Sequence, residues 1–150
     1  MVMVSTSMQL IRELESLVNQ YADPVNFPEK KDGSIQIANY QVTPRDGGYL
    51  VADIFGCEYA QVNYLVSAIA IASNLSVNNN ITRRVKSLDH ELTKHYSDAV
   101  FYEHAINKAK SWWDADIRQV RLDRTMFLAR ETRSELSHLI FNSLRQGKYK

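Results

Sequence analysis

Every glycine and every proline of this chain lies outside the stretch from Cys57 to Gln146. Proline removes a helical hydrogen-bond donor and glycine costs backbone entropy, so a run of about 90 residues without either predicts helix throughout. The turn formers gather in residues 23–56, which are therefore expected to hold the turns and any strands.

The start of the chain predicts a first helix. Thr6 and Gln9 form a capping box, and Leu10, Ile11, Leu14, Leu17, Val18 and Tyr21 follow at helical spacing. Asp23-Pro24 ends it, because proline disfavours helix at the preceding residue. Next, Ser34–Val42 and Tyr49–Phe55 read as the two strands of a small hairpin, joined through Thr43-Pro-Arg-Asp-Gly-Gly48 by a type I turn with a left-handed residue. The apolar phase slips near Ala38-Asn39, which predicts a bulge there.

A second helix is expected from about Glu58 to Ser73, with Tyr59, Val62, Leu65, Val66 and Ile69 on one face and Ala68, Ile71 and Ala72 on the other. It reads as a central core helix. From Ile81 to Leu144 no strong breaker occurs, and an unbroken helix would span roughly 95 Å, more than twice the ~40 Å diameter of a compact domain of this size. The capping box Thr132-Arg-Ser-Glu135 is the best internal restart, and Ser111-Trp-Trp-Asp114 the weaker one.

The heptad pattern argues for continuity through residue 111. Val85, Leu92, Ala99, Ile106, Trp113, Val120 and Phe127 repeat at strict seven-residue spacing. A second apolar row lies nearly opposite: Phe101, Ala105, Trp112, Ala115, Leu122, Met126 and Ala129. One flank between the rows carries Lys110, Arg118, Arg121 and Arg124, with Asp114 among them, the other Asp116 and Asp123. A helix with one wet side needs a single apolar stripe. Two stripes imply one for the chain's own core and one for a partner. Phe101, Ala105, Trp112, Ala115, Leu122 and Met126 are the candidate interface, and Val120 is assigned to the core. On this assignment Trp112→Glu separates subunits, whereas Val120→Glu unfolds the chain.

The fold class is thus mainly α with a small β-hairpin, in the order helix, hairpin, helix, very long helix and short terminal helix. A single domain over residues 1–150 is expected, with a helix/hairpin/helix portion (1–80) and a long helical portion (81–150).

Composition narrows the function classes. With 45% hydrophobic and 23% charged residues the chain is an ordinary globular one, and a net charge of +1 excludes a polybasic coat or an acidic tail. Charge is unevenly spread all the same: residues 1–80 hold four basic and eight acidic side chains, residues 81–150 fourteen and nine. Head-to-tail contact between subunits and packing of the two portions on each other both fit this asymmetry.

Cys57, the single cysteine, excludes an internal disulfide framework and reads as a small core residue. The N-terminus lacks a basic n-region, so no secretory signal peptide is expected, and the apolar stretch Tyr59–Leu75 is too short and too interrupted to span a bilayer. A cytoplasmic location, or one inside an intracellularly assembled particle, follows.

No catalytic motif emerges. His90-Glu91 resembles the start of a zincin helix, but His95 lies five residues after His90 instead of four, about 140° away around the helix, and the zinc pair fails. Glu91, His95 and Asp98 share a helical face and read as a solvated cluster. Glu131, Glu135 and His138 offer one Glu-x-x-His pair, where a di-iron bundle requires two. No phosphate-cradling glycine loop, cofactor site or small-molecule site is evident.

The expected function is a non-enzymatic structural or assembly protein that acts through helix contacts in a homo-oligomer or with other subunits, as a viral or phage component would. The alternative is a nucleic-acid-binding accessory factor using Arg83, Arg84, Lys86, Lys110, Arg118, Arg121 and Arg124 beside Trp112.

Overall fold

A computed structural model describes residues 33–148 of the chain. The expected first helix and the loop after it lie outside these residues. Four strands come first: β1 (Ile35–Ile37), β2 (Tyr40–Arg45), β3 (Gly48–Asp53) and β4 (Glu58–Val62). Three helices follow: α1 (Leu65–Leu75), α2 (Thr82–Asn107) and α3 (Trp112–Lys148).

The strands form one antiparallel sheet in the order β1-β2-β3-β4. This corrects the expected fold class: the chain carries a four-stranded meander followed by three helices, in place of a mainly α fold with a small hairpin. Two misreadings account for the difference. Ala38-Asn39 is the turn of a β1–β2 hairpin and no bulge, with Ile37 facing Tyr40 and Ala38 at φ 53°. Glu58–Val62 is a strand and no helix start, because Gly56, at φ 87°, turns the chain back onto β3.

The β2–β3 connection is also tighter than expected. Thr43, Pro44 and Arg45 belong to β2, leaving only Asp46-Gly47 as the turn. Both have positive φ, 52° and 78°, which is the type I′ geometry that Asp-Gly favours. Pro44 fits in a strand because β1 pairs with β2 only as far as Val42, so among the described residues no strand lies beside it on that side. A bulge does occur, in β4: Ala60 faces Val51 and Glu58 faces Ala52, so Tyr59 is the extra residue.

One sheet face is apolar and one wet. Val42, Val51, Ala60 and Val62 are buried against α1, while Gln41, Thr43, Arg45 and Gln61 belong to the open face. Helix α1 lies between the sheet and the pair formed by α2 and α3. Sandwiched in this way, it is buried at every residue from Val66 to Leu75, which is why Ala68, Ala70 and Ala72 alternate with larger side chains around it. The expectation of a central core helix holds for Leu65–Leu75, seven residues later than its expected start.

Helices α2 and α3 pack antiparallel along their length, joined by the short link Lys108–Ser111. The chain therefore breaks at the weaker of the two candidate restarts. The hydroxyl of Ser111 accepts the N–H of Asp114 at 3.2 Å and caps α3. At Thr132 helix α3 continues, and the threonine hydroxyl donates to the Leu128 carbonyl one turn back. Glu135 is drawn away from any capping role into an ion pair with Arg84 across the two helices.

Candidate interaction surface

The core occupies only part of the α2–α3 hairpin. On α2 the buried residues are Val85, Leu88, Asp89, Leu92, Tyr96 and Ala99, and on α3 the buried series begins at Leu122 and runs through Ala129, Leu136 and Ile140 to Ser143. No residue from Val100 to Arg121 is buried. This span, the end of α2, the link and the start of α3, is an arm of two helices with nothing packed on either side among the described residues.

Local polar contacts order the arm. Arg118 donates to the Asp114 carboxylate at 2.9 Å, one turn back on α3, and also to the carbonyl oxygen of Ala105 on α2. Gln119 donates to Asp123 at 2.9 Å along α3. The side chains of Trp112 and Trp113 stack with ring centroids 4.4 Å apart, and both are 65% exposed.

On α3 the faces divide sharply. Leu122, Thr125, Ala129, Thr132, Leu136 and Ile140 form the inner seam. Half a turn away lie Trp113, Ile117, Val120 and Phe127, with exposures of 65%, 54%, 67% and 57%. Their spacing of four, three and seven residues makes a straight outward stripe about 21 Å long. Beyond Phe127 the same face is polar at Glu131, Ser134, His138 and Arg145, with Phe141 the one large apolar residue, 42% exposed under the Arg145 guanidinium.

The two apolar seams read from the sequence are both present, with their roles exchanged on α3. Leu122 and Ala129 of the expected interface row are buried in the chain's own core, and Met126 packs against it. Ala115 and Ala105 are half-buried, Trp112 is exposed, and Phe101 is exposed half a turn from Leu92 on α2. In the other row, Val85, Leu92 and Ala99 are core residues on α2, but Val120, expected in the core, faces outward with Trp113 and Phe127. The cause is the break at Lys108–Ser111. Each helix sets its own phase against its neighbours, so the seven-residue spacing from Ile106 to Trp113 links residues on different helices. Ile117 belonged to neither row, and only its i+4 and i−3 relation to Trp113 and Val120 marks it in the sequence.

The seven basic candidates do not form a single stripe. Arg83, Arg84 and Lys86 begin α2, whereas Arg124, Arg121, Arg118 and Lys110 are strung toward the far end of the hairpin, roughly 20 to 35 Å further along. Arg84 and Arg118 are engaged in ion pairs, and Arg83, Lys86, Lys110, Arg121 and Arg124 are exposed. Cys57, expected in the core, is exposed in the β3–β4 turn. There the Asp53 carboxylate accepts the N–H groups of Phe55 and Cys57, both at 2.9 Å, and holds Phe55 88% exposed at the tip.

A shallow groove of about 460 Å³ lies at the β3–β4 side of the sheet, lined by Leu50, Gln61 and Asn63 and crossed by an Arg45–Glu58 ion pair at 2.8 Å. Among the described residues no three His, Cys, Asp or Glu side chains converge as metal ligands, and no helix is long and apolar enough to cross a membrane. No family model matches the chain, and no curated protein or solved structure resembles it.

Proposed function

We propose that this is a structural or assembly protein that works through helix–helix contacts made by the α2–α3 arm. The outward stripe Trp113-Ile117-Val120-Phe127, opposite the helix's own core seam, carries the reading. With Trp112 it exposes about 600 Å² of apolar side chain, at the top of the range for the largest patch on a typical monomer. An extended two-helix arm adds no enclosed site for chemistry. What it adds is reach and a docking face.

Light scattering on the full chain tests this. A species heavier than the 17.3 kDa chain is expected, and Val120→Glu should reduce its mass while leaving the far-ultraviolet helical signal intact. A 17.3 kDa monomer at every concentration whose tryptophan emission is shielded from water, with no change in mass on Val120→Glu, would refute the reading.

A further inference from the structure

We infer that the stripe on α3 is covered by the same stripe of a second copy of this chain, with the two α3 helices running parallel about a two-fold axis along the arm. This rests on the assembly reading above and names the partner it leaves open.

Area and charge point to a second copy. Two such faces, each the stripe together with Trp112, bury at most about 1,200 Å² when pressed together, the lower bound of a specific, stable protein–protein interface. The flanks of the stripe differ in sign. Asp116 and Asp123 line one edge; on the other stands Arg121, with Arg124 on the stripe itself, and all four are exposed, while Asp114 on that second edge is neutralised by its ion pair with Arg118. Their order decides the orientation. In an antiparallel pair related by a two-fold axis, like edges meet, so aspartates would face aspartates and arginines would face arginines. In a parallel pair, each acidic edge meets the partner's basic edge.

The heptad positions agree. With Ile117 and Arg124 at a, and Trp113, Val120 and Phe127 at d, Asp116 is a g residue and Arg121 is the e residue five positions on. That is the g-to-e′ relation by which parallel helices pair charges between chains. Arg124, the one charged a residue between Val120 and Phe127, meets its own counterpart across the axis, and the partner's Asp123 at g lies beside it and offsets that like-charge contact. Each contact occurs twice, as an isologous interface requires. Beyond Phe127 the face is polar except at Phe141, which Arg145 overlies, so the two bodies diverge below the joined arms.

The test uses the full chain with Cys57→Ser, carrying either Ile117→Cys or Arg124→Cys. These positions are about 10 Å apart along the helix. In a parallel, in-register pair each cysteine meets its own counterpart within disulfide range, so both variants should form covalent dimers under mild oxidation. Separately, Asp116→Arg should weaken dimerisation at least tenfold, and adding Arg121→Asp should restore it.

An oligomer in which only one of the two cysteines cross-links, or in which the double charge swap restores nothing, overturns the parallel pair while leaving the assembly reading standing. A monomer with shielded tryptophan emission gives the stripe to residues 1–32 of the same chain, and a monomer with water-exposed emission gives it to a different protein; both overturn the second copy.

Discussion

Asp89, on α2, receives the backbone N–H of Asn63 on both carboxylate oxygens, at 3.0 and 3.2 Å, directly ahead of the first turn of α1. One of those oxygens also accepts the Tyr64 N–H at 3.2 Å. The carboxylate is buried and lies at the positive end of the α1 dipole, so these are charge-assisted bonds in a site of low polarity. They clamp the β4–α1 corner to α2. Asp89→Ala removes the acceptor and leaves two N–H groups unsatisfied, which should cost about 2–3 kcal/mol. The measurement is a lowered urea midpoint at unchanged slope, at fixed protein concentration. A loss below about 0.5 kcal/mol, the range of an ordinary surface change, would show that the clamp contributes little.

Gly48 controls how closely β3 and β4 approach. A Cβ built there would lie 2.3 Å from the carbonyl oxygen of Val62, a backbone atom that cannot rotate aside. Gly48→Ala should therefore force the strands apart and destabilise the fold by about 1–3 kcal/mol, the scale of overpacking. Gly47→Ala is a useful contrast, since no atom stands within 4 Å of its Cβ and the cost there comes from a φ of 78°. Amide exchange separates the two. Gly48→Ala should expose amides of both β3 and β4, whereas Gly47→Ala should loosen only the β2–β3 turn.

What the sequence made legible was local. A turn between Thr43 and Gly48, an apolar core helix reaching Ser73 and the helical character of residues 82–107 and 112–144 follow from turn chemistry and periodicity, and they stand, although the turn itself is only Asp46-Gly47 and the core helix begins at Leu65. The β4 strand was lost because Tyr59, Val62, Leu65 and Val66 fit a helical face as well as Ala60 and Val62 fit an alternating one. A short apolar segment does not choose between periods. The break at Lys108–Ser111 was lost for a related reason: each helix has its own seam, and the two happened to stand seven residues apart.

On α3 periodicity located two opposite faces but could not say which was inside. That choice is tertiary. Asn74 on α1 donates to the Leu139 carbonyl on α3 at 3.1 Å and to Ala70 at 2.8 Å, and this contact lies on the Leu136–Ile140 side of the helix.

A matched pair of truncations measures that choice. Leu136 is fully buried in the inner seam, and Leu136→Ala should cost about 2–5 kcal/mol through lost burial and the cavity left behind. Val120, 67% exposed, should lose less than about 0.5 kcal/mol of fold stability on truncation to alanine. The comparison belongs in a dilute, monomeric sample so that interface loss is not counted as fold loss. If the two costs came out alike, the inner and outer faces of α3 would be wrongly assigned.

Alkaline pH probes the same corner as Asp89. Burial raises the Tyr64 phenol above its ordinary value, the Asp89 charge raises it further, and the Thr93 hydroxyl opposes them by hydrogen bonding. The ring also packs edge-on to Tyr96, with centroids 5.3 Å apart. Below the unfolded phenol's pKa of about 10 the proton is bound in both states, so Tyr64 makes no pH-dependent contribution there. Above it the unfolded chain releases the proton first, and stability falls as pH rises toward the higher folded value. Unfolding free energies at pH 8 to 11 should therefore decline more steeply for the native chain than for Tyr64→Phe, with the two curves parallel below about pH 9. Equal slopes above pH 10 would mean that the half-buried phenol is not what the fold loses in base.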